Sequence, residues 1–360
     1  MDDRFTGNEV LIIMKAVVIR KDKRSIEIQE IPTPTVQPGT LLLKTNYCSI
    51  CGSDIEYLDG ALQDLASFEA HAGVILGHEW VAEIAAVGEG VSGWSAGDRV
   101  AYCPTKRTCG VCYFCRRFMY HLCIGGSSRG SVFGGQSYGL RGGAMSEYFV
   151  KAASLVQPVP ENISSEEACL AEPLATGIGS VNAAGLGLGK SAVVIGAGKI
   201  GLGAMLCARA NGVAPIIVID VVKSRLDKAL EMGADIVLNA KEVDITSEVL
   251  KLTDAGPDAV LICVREGTVL SQATQMVRLG GTIALTGFVN PMQVDPRIWV
   301  EKQLTIKGHI SGPVKTALNL MENKLVDVRP LISEIMPLED AQRGFDSIRN
   351  GQNIAVLLKP

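Results

Sequence analysis

Ser191-Ala192-Val193-Val194-Ile195-Gly196-Ala197-Gly198-Lys199-Ile200-Gly201 decides the fold of this 360-residue chain. An apolar, β-branched run leads straight into G-x-G-x-x-G, and a helix-like stretch, Ile200 to Asn211, follows it. Strand, glycine turn and helix in that order form the context in which the motif binds a dinucleotide. Gly196 permits the tight turn, Gly198 lets the backbone approach a pyrophosphate, and Gly201 lets helix and strand pack closely. Lys199 and Ile200 open the helix, whose free N–H groups and positive dipole end attract phosphate. A second apolar run, Ile216 to Ile219, ends in Asp220, about 20 positions after Gly201, where an acidic residue meets the ribose. A carboxylate there accepts from both ribose hydroxyls and repels a 2′-phosphate, so NAD is expected over NADP. Lys223 and Arg225 are close enough to soften that preference, and Arg225 joins the expected cofactor set.

Outward from this turn, apolar runs alternate with helix-like segments: Ile216–Ile219, Asp235–Leu238, Asp258–Val264, Thr282–Thr286 and Leu304–Ile306. Such alternation predicts βαβ units and a parallel sheet. Upstream the chain reads differently. Short β-rich runs (Lys15–Arg20, Leu41–Thr45, Val81–Val87, Arg99–Tyr102, Glu147–Val150) are punctuated by turns such as Pro32-Thr33-Pro34 and Pro38-Gly39. The expected division is an irregular β domain over 14–164, a dinucleotide domain over 165–305, and a segment over 306–360 that returns to the first domain. Residues 1–13 precede a natural start at Met14-Lys15-Ala16-Val17 and are either a flexible extension or a mis-called start.

Hydrophobic residues make up 47% and charged residues 20%, an ordinary globular balance. A net charge of −4 argues against nucleic acid as partner. No apolar run approaches the roughly 18 residues of a membrane span. The opening Met1-Asp2-Asp3 and the short apolar stretch Val10–Met14 do not make a secretory signal. The expectation is a cytoplasmic enzyme with a small-molecule substrate.

Ten cysteines need explaining. Cys109-x2-Cys112-x2-Cys115-x7-Cys123 is the strongest single signal. Four thiolates so closely spaced suit tetrahedral zinc in a closed, structural site, which contributes on the order of 10 kcal/mol of apparent folding energy. The common iron–sulfur runs space their cysteines differently. Cys169, Cys207 and Cys263 sit among apolar neighbours and read as core, and Cys103 takes no role. Cys51-Gly52-Ser53-Asp54 and Gly77-His78-Glu79 offer a thiolate, an imidazole and a carboxylate. Three protein ligands with one open position is the pattern of a catalytic zinc. The other three histidines of the chain, His71, His121 and His309, have no such company.

The order of these fragments, with Gly97-Asp98-Arg99-Val100 and Ala171-Glu172-Pro173-Leu174-Ala175, resembles the zinc-containing medium-chain alcohol and polyol dehydrogenases, from about Lys15 onward. The resemblance implies a GroES-like β domain packed on a Rossmann domain, two zinc ions per chain, NAD, and assembly as a homo-dimer or tetramer. It implies that Cys51 and His78 bind the catalytic zinc, that Glu79 binds it or exchanges with water, and that Glu172 stands where the sorbitol and butanediol branch places a ligand. Ser53 matches the hydroxyl that relays the substrate proton. The implied reaction is reversible hydride transfer between a secondary alcohol, diol or polyol and its ketone. Cys48 lies outside the motif and reads as core or as a neighbour of the ligands.

Several positions depart from the family. Glu56 replaces a frequent His, which leaves the terminal proton acceptor open. Phe118 and His121 alter the cysteine lobe, and Arg141 stands where an acidic residue is common. His309-Ile310-Ser311-Gly312 replaces an Arg-Tyr pair that meets the polyol, so a secondary alcohol, a diol or a larger cyclic alcohol fits as well. Two rivals follow: a carbonyl or enone reductase of the same family, and a zinc-stabilised scaffold that has lost turnover. If Asp220 holds the ribose, Asp220→Ala weakens NAD binding more than NADP binding; titrating both cofactors by fluorescence checks this, and unchanged selectivity removes Asp220 from the ribose.

Overall fold

The computed structural model describes residues 12–22, 24–60, 73–103, 109, 111–117, 122–123 and 143–360. Residues 1–11 of the expected extension, together with His71, Phe118, His121 and Arg141, lie outside them.

The first half is strand and turn. β1 (Ile13–Ile19) and β2 (Ile26–Pro32) pair antiparallel as a two-stranded sheet. β3 (Thr40–Ser49) runs into the short helix α1 (Gly52–Leu58) and is followed by β4 (Glu79–Val87), β5 (Arg99–Tyr102), β6 (Tyr148–Ala152) and β7 (Val156–Pro158). β3 carries the apolar run Leu41-Leu42-Leu43, all buried. Two register shifts against β4, at Leu42/Leu43 and Thr45/Tyr47, mark irregular pairing that bends such strands. Beyond them Cys48 faces Trp80 and Ser49 faces Glu79. The end of β3 and the start of β4 therefore share one edge, which brings residues 51 and 78 together.

The second half is a doubly wound α/β unit. α2 (Ser165–Cys169) starts at a reciprocal cap in which Ser164 and Glu167 bond each other's backbone amides, and α3 (Ala171–Ala183) follows. Then β8 (Ala192–Ile195), α4 (Lys199–Ala210), β9 (Ile216–Asp220), α5 (Lys223–Glu231), β10 (Ile236–Asn239), α6 (Ile245–Leu252), β11 (Ala259–Ile262), α7 (Thr268–Met276), β12 (Thr282–Leu285), α8 (Arg297–Glu301) and β13 (Thr305–Gly308) succeed one another. The six strands lie parallel in the order β10-β9-β8-β11-β12-β13. The strand order reverses between β8 and β11, and the glycine turn after β8 sits at that switch point, where such sheets bind ligands. β8, β9 and β11 are buried throughout, as strands covered by helices on both faces must be.

The chain then returns through α9 (Val314–Glu322) to β14 (Ile332–Pro337), α10 (Ala341–Arg349) and β15 (Ala355–Lys359). β15 pairs antiparallel with β3, Leu357 opposite Ser49, and closes a seven-stranded sheet ordered β14-β15-β3-β4-β5-β7, with β6 on the earlier part of β3. The expected break after residue 305 falls inside β13, where Ile306 pairs with Ile283. α9 also buries Val314, Ala317 and Leu318 in a core shared with α3, so the dinucleotide part extends past that break. The same core joins Tyr47, Val81 and Leu357 of the β domain to Leu174, Ile178 and Leu202, so the two halves meet through apolar side chains. β2 and β7 escaped the sequence reading because charge and proline dilute their apolar pattern.

The glycine turn separates two roles. A Cβ on Gly201 would lie 1.7 Å from the carbonyl oxygen of Gly196, whereas one on Gly198 meets nothing within 4 Å. Gly201→Ala is therefore expected to destabilise the fold by about 3 kcal/mol or more. Gly198→Ala should leave thermal unfolding unchanged and weaken dinucleotide binding instead. Calorimetry and cofactor titration on both variants check the split, and equal effects on stability would refute it.

Candidate active site

Cys51 stands at the N-terminus of α1, and its N–H donates to Asp54 Oδ2 at 3.0 Å. The other Asp54 oxygen lies 3.4 Å from His78 Nδ1. Asp54 is almost wholly buried, and its one carboxylate accepts from the Cys51 amide and faces the His78 ring. An acceptor behind a histidine sets its tautomer and aim in metal sites. Asp54 belongs to the Cys51-Gly52-Ser53-Asp54 motif but takes no role from the motif itself. The signal was available: three residues beyond the Ncap position is where a carboxylate reaches back to the cap amide.

Cys51, His78 and Glu79 each place a ligand atom within 4.8 Å of the other two. Glu79 is fully buried and its Oε1 has no hydrogen-bond partner, so the cluster has an unsatisfied acceptor of the kind a divalent cation satisfies. Burial, and then the charge of Glu79, pushes the Cys51 thiol above its ordinary value, a cost that a bound cation offsets. Ser53 Oγ donates to Cys51 Sγ at 3.1 Å, beside the open position. Glu172, on the first turn of α3, is not among the three converging ligands. Burial first raises its carboxyl to about 7; His78 pulls it down and Glu79 pushes it further up. Cys48 is buried against Gly77 and lies in the core behind the cluster, and Cys169 Sγ donates to the Glu79 carbonyl.

Lys199 departs from expectation. Its ammonium does not turn toward the phosphate position. It donates to Ser49 Oγ (2.8 Å), to the Ile50 carbonyl (2.9 Å) and to Glu79 Oε2. Burial opposes the charge, but Glu79 and then Cys51 outweigh it and hold the ammonium above its ordinary value. A buried carboxylate paired with no other cation among the described residues dictates this choice, and it leaves only the backbone amide of Lys199 for a cofactor.

The second cluster is closed. The Sγ atoms of Cys109, Cys112, Cys115 and Cys123 lie within 4.8 Å of one another. The amides of Cys109, Cys112 and Cys115 donate to the sulfurs of Cys123, Cys109 and Cys112 at 3.3, 3.3 and 3.5 Å. Backbone donors to the sulfurs of Cys123, Cys109 and Cys112 stabilise thiolates, and four protein sulfurs complete a tetrahedral site.

At the dinucleotide turn, Asp220 ends β9 with its carboxylate held by the amides of Ala197 (2.7 Å), Val221 (2.7 Å) and Val222 (2.9 Å). A carboxylate has roughly four acceptor positions, so capacity remains for a hydroxyl. Gly196, Gly198, Ile200 and Gly201 form the turn and the first residues of α4. Arg225 lies against Gly351 of the returning segment, and its Nε has no hydrogen-bond partner. His309 follows β13 with Nε2 at 3.2 Å from Thr286 Oγ1, which bonds Ser180 Oγ at 2.7 Å. Burial, then Lys307, lowers His309 to about 4.

Two metal-competent clusters, one open and one closed, beside a dinucleotide turn define a zinc-binding dehydrogenase. The family model for the alcohol dehydrogenase GroES-like domain matches residues 37–161, and that for zinc-binding dehydrogenases matches 200–323. Sorbitol dehydrogenase of Ovis aries is 30% identical over 348 residues, covering 93% of this chain and 93% of that one. L-threonine 3-dehydrogenase of Pyrococcus furiosus is 31% identical over 347 residues, 94% of this chain and 96% of the other. The crystal structure of 2R,3R-butanediol dehydrogenase from Bacillus subtilis superposes with a TM-score of 0.82 at 28% identity, covering 96% of this chain and 99% of that one. The chain belongs to the zinc-containing medium-chain alcohol and polyol dehydrogenases. It is an oxidoreductase acting on CH–OH groups with zinc and a nicotinamide dinucleotide. Among the described residues, no helix is long and apolar enough to cross a membrane.

Glu56, in place of the frequent His, lies on α1 with Oε1 at 3.4 Å from Arg265 Nε, across from the β11 end of the dinucleotide sheet. Burial raises its carboxyl to about 6, against the pull of Arg265. The native state therefore holds more protons than the unfolded chain between its ordinary value, 4.5, and about 6, and stability falls as pH rises through that window. Glu56→Gln should be more stable than the parent above pH ~6 by up to about 2 kcal/mol, and equal to it below pH ~4.5. Thermal unfolding across pH 4–8 checks this; a pH-independent difference would refute it.

Proposed function

We propose that this chain is an NAD-dependent zinc dehydrogenase that reversibly interconverts a secondary alcohol, diol or polyol and its ketone. The convergence of Cys51, His78 and Glu79 within 4.8 Å carries the reading. In it, Cys51, His78 and Glu79 hold the catalytic zinc with Glu172 in reserve, and Cys109, Cys112, Cys115 and Cys123 hold the structural one. When bound, zinc polarises the substrate oxygen and lowers the pKa of its hydroxyl, while the nicotinamide takes up or returns the hydride.

The chain's own part is binding, orientation and proton movement. Asp54 holds Cys51 and His78 in place. Ser53, already bonded to Cys51 Sγ, is suited to take the substrate proton toward solvent. Gly196, Gly198 and Gly201 admit the pyrophosphate with the amides of Lys199 and Ile200, and Asp220 selects an unphosphorylated ribose. The β domain, 14–164 with the returning strands, supplies the metal sites, and the parallel sheet supplies the cofactor site.

The substrates named for the relatives (sorbitol, threonine, butanediol) share a secondary alcohol beside a second polar carbon, which favours that chemical class. At the return loop, a Cβ on Gly312 would lie 1.8 Å from the Ala175 carbonyl, so the loop lies tight against α3. That segment is His309-Ile310-Ser311-Gly312, not an Arg-Tyr pair, which favours a less hydroxylated substrate than sorbitol. We place the enzyme in the cytoplasm as a homo-oligomer, dimer or tetramer. The carbonyl-reductase reading has Asp220 against it, since reductases of this kind favour NADPH, and the scaffold reading has the intact Cys51, His78, Glu79 and Ser53 set against it.

Metal analysis of the purified protein should give two zinc ions per chain. Cys51→Ser should lose one of them and about 10³-fold or more in kcat/KM while unfolding at the parent temperature. Cys112→Ser should lose the other and unfold at a markedly lower temperature. One zinc in the parent protein, or parent-level turnover in Cys51→Ser, would overturn the assignment.

A further inference from the structure

Lys199 joins two sites that the sequence keeps apart. It is the first residue of α4, directly after the glycine turn, so its amide is among those that open the helix toward a pyrophosphate. Its side chain, 6% exposed, crosses into the β domain. There its three protons are all spent, on Ser49 Oγ, the Ile50 carbonyl and Glu79 Oε2. Ser49 and Ile50 lead into Cys51, and Glu79 follows His78, so every acceptor adjoins the open cluster. No other cation is paired with Glu79 among the described residues. With Oε2 engaged, Oε1 is the buried oxygen of Glu79 that keeps no hydrogen-bond partner.

We propose that Lys199 is a positioning residue that couples the dinucleotide turn to the open metal cluster, fixing Glu79 through Oε2 so that Oε1 alone is presented to the metal. The inference rests on the functional reading above, with zinc in the open cluster and NAD at the glycine turn. Its physical content is a rigid link. The ammonium cannot leave Glu79 without stranding a fully buried carboxylate, and the backbone of Lys199 cannot move without moving the ammonium. A dinucleotide that settles on the first turn of α4 therefore alters the hold on Glu79, and the metal's hold on Glu79 alters the turn. Such a coupling is reciprocal: whatever factor the cofactor applies to metal affinity, the metal applies to cofactor affinity. Charge acts in the same direction, since the ammonium offsets the buried carboxylate of Glu79 at the cluster.

The test uses the full-length zinc enzyme, Lys199→Met, and the double variant Lys199→Met/Glu79→Gln, which leaves no unpaired charge if the single variant fails to fold. Dissociation of the more labile zinc is followed with a chromophoric chelator, with and without saturating NADH. NADH affinity is measured by fluorescence on the loaded and the depleted protein. In the parent, NADH should change zinc affinity by about 5-fold or more, and zinc should change NADH affinity by the same factor. In whichever variant folds, NADH still binds, but the factor falls to within about 2-fold of unity. A lysine that merely stabilises the fold would shift NADH affinity equally with and without zinc and leave the factor intact, which overturns the proposal. A parent that holds two zinc ions and binds NADH but shows no coupling overturns this proposal alone. A parent that binds no NADH or holds one zinc overturns the functional reading and the coupling with it.

Discussion

The open metal cluster exists because the last pair of β3 and the first pair of β4 are the same pair. Ser49 faces Glu79 in the register, and the chain leaves β3 through Cys51 just as it enters β4 through His78. Antiparallel pairing turns a long sequence separation into contact, and a shift of one residue would send every side chain of the strand to the other face. The register is guarded from both sides. β15 pairs with β3 at Ser49 and Cys48, and the bulged pairing earlier in β3 takes up the bend before the site is reached. Hydrophobic packing beneath holds the arrangement: Trp80 lies fully buried, its ring edge-on to Phe149 at 4.8 Å.

On this frame, charge is arranged with little slack. Asp54 serves the Cys51 amide and faces the His78 imidazole, and Lys199 serves Glu79, with Asp54, His78, Glu79 and Lys199 all buried. A buried ion pair of this kind adds little to stability compared with apolar packing, yet breaking it costs about 3–5 kcal/mol. Such a pair makes sense where position matters more than energy, and here it lies between the two sites on which the chemistry depends.

Much of this was legible in the sequence, for reasons that can be named. Strands β8, β9 and β11 were legible because strands buried on both faces read as unbroken apolar runs, and Ala192–Ile195 and Arg99–Tyr102 match the structure to the residue. The cysteine knuckle was legible because its four ligands are local in sequence. The open cluster needed joint recognition of fragments, since no spacing rule links Cys51 to His78. What escaped was decided by three-dimensional contact. Lys199 sits inside a cofactor motif, and nothing in its neighbours reveals that its side chain turns away toward Glu79. The boundary at 305 falls inside β13 because that strand is thinly apolar and largely exposed, so its run, Leu304–Ile306, gives no sign of where the strand ends.

The place of β15 has a consequence for how the molecule comes into being. This strand, Ala355–Lys359, fills the gap between β14 and β3 and backs the residues that lead to Cys51. Everything it pairs with on the β3 side is made some 300 residues earlier. During synthesis the parallel sheet can complete itself as a unit of consecutive strands and helices, as domains emerging from the ribosome do. The β domain must meanwhile wait with the flank of β3 unpaired until β15 arrives. The metal-holding edge is thus the last part of the chain to acquire its shape, and an exposed strand edge is the vulnerable species on the way.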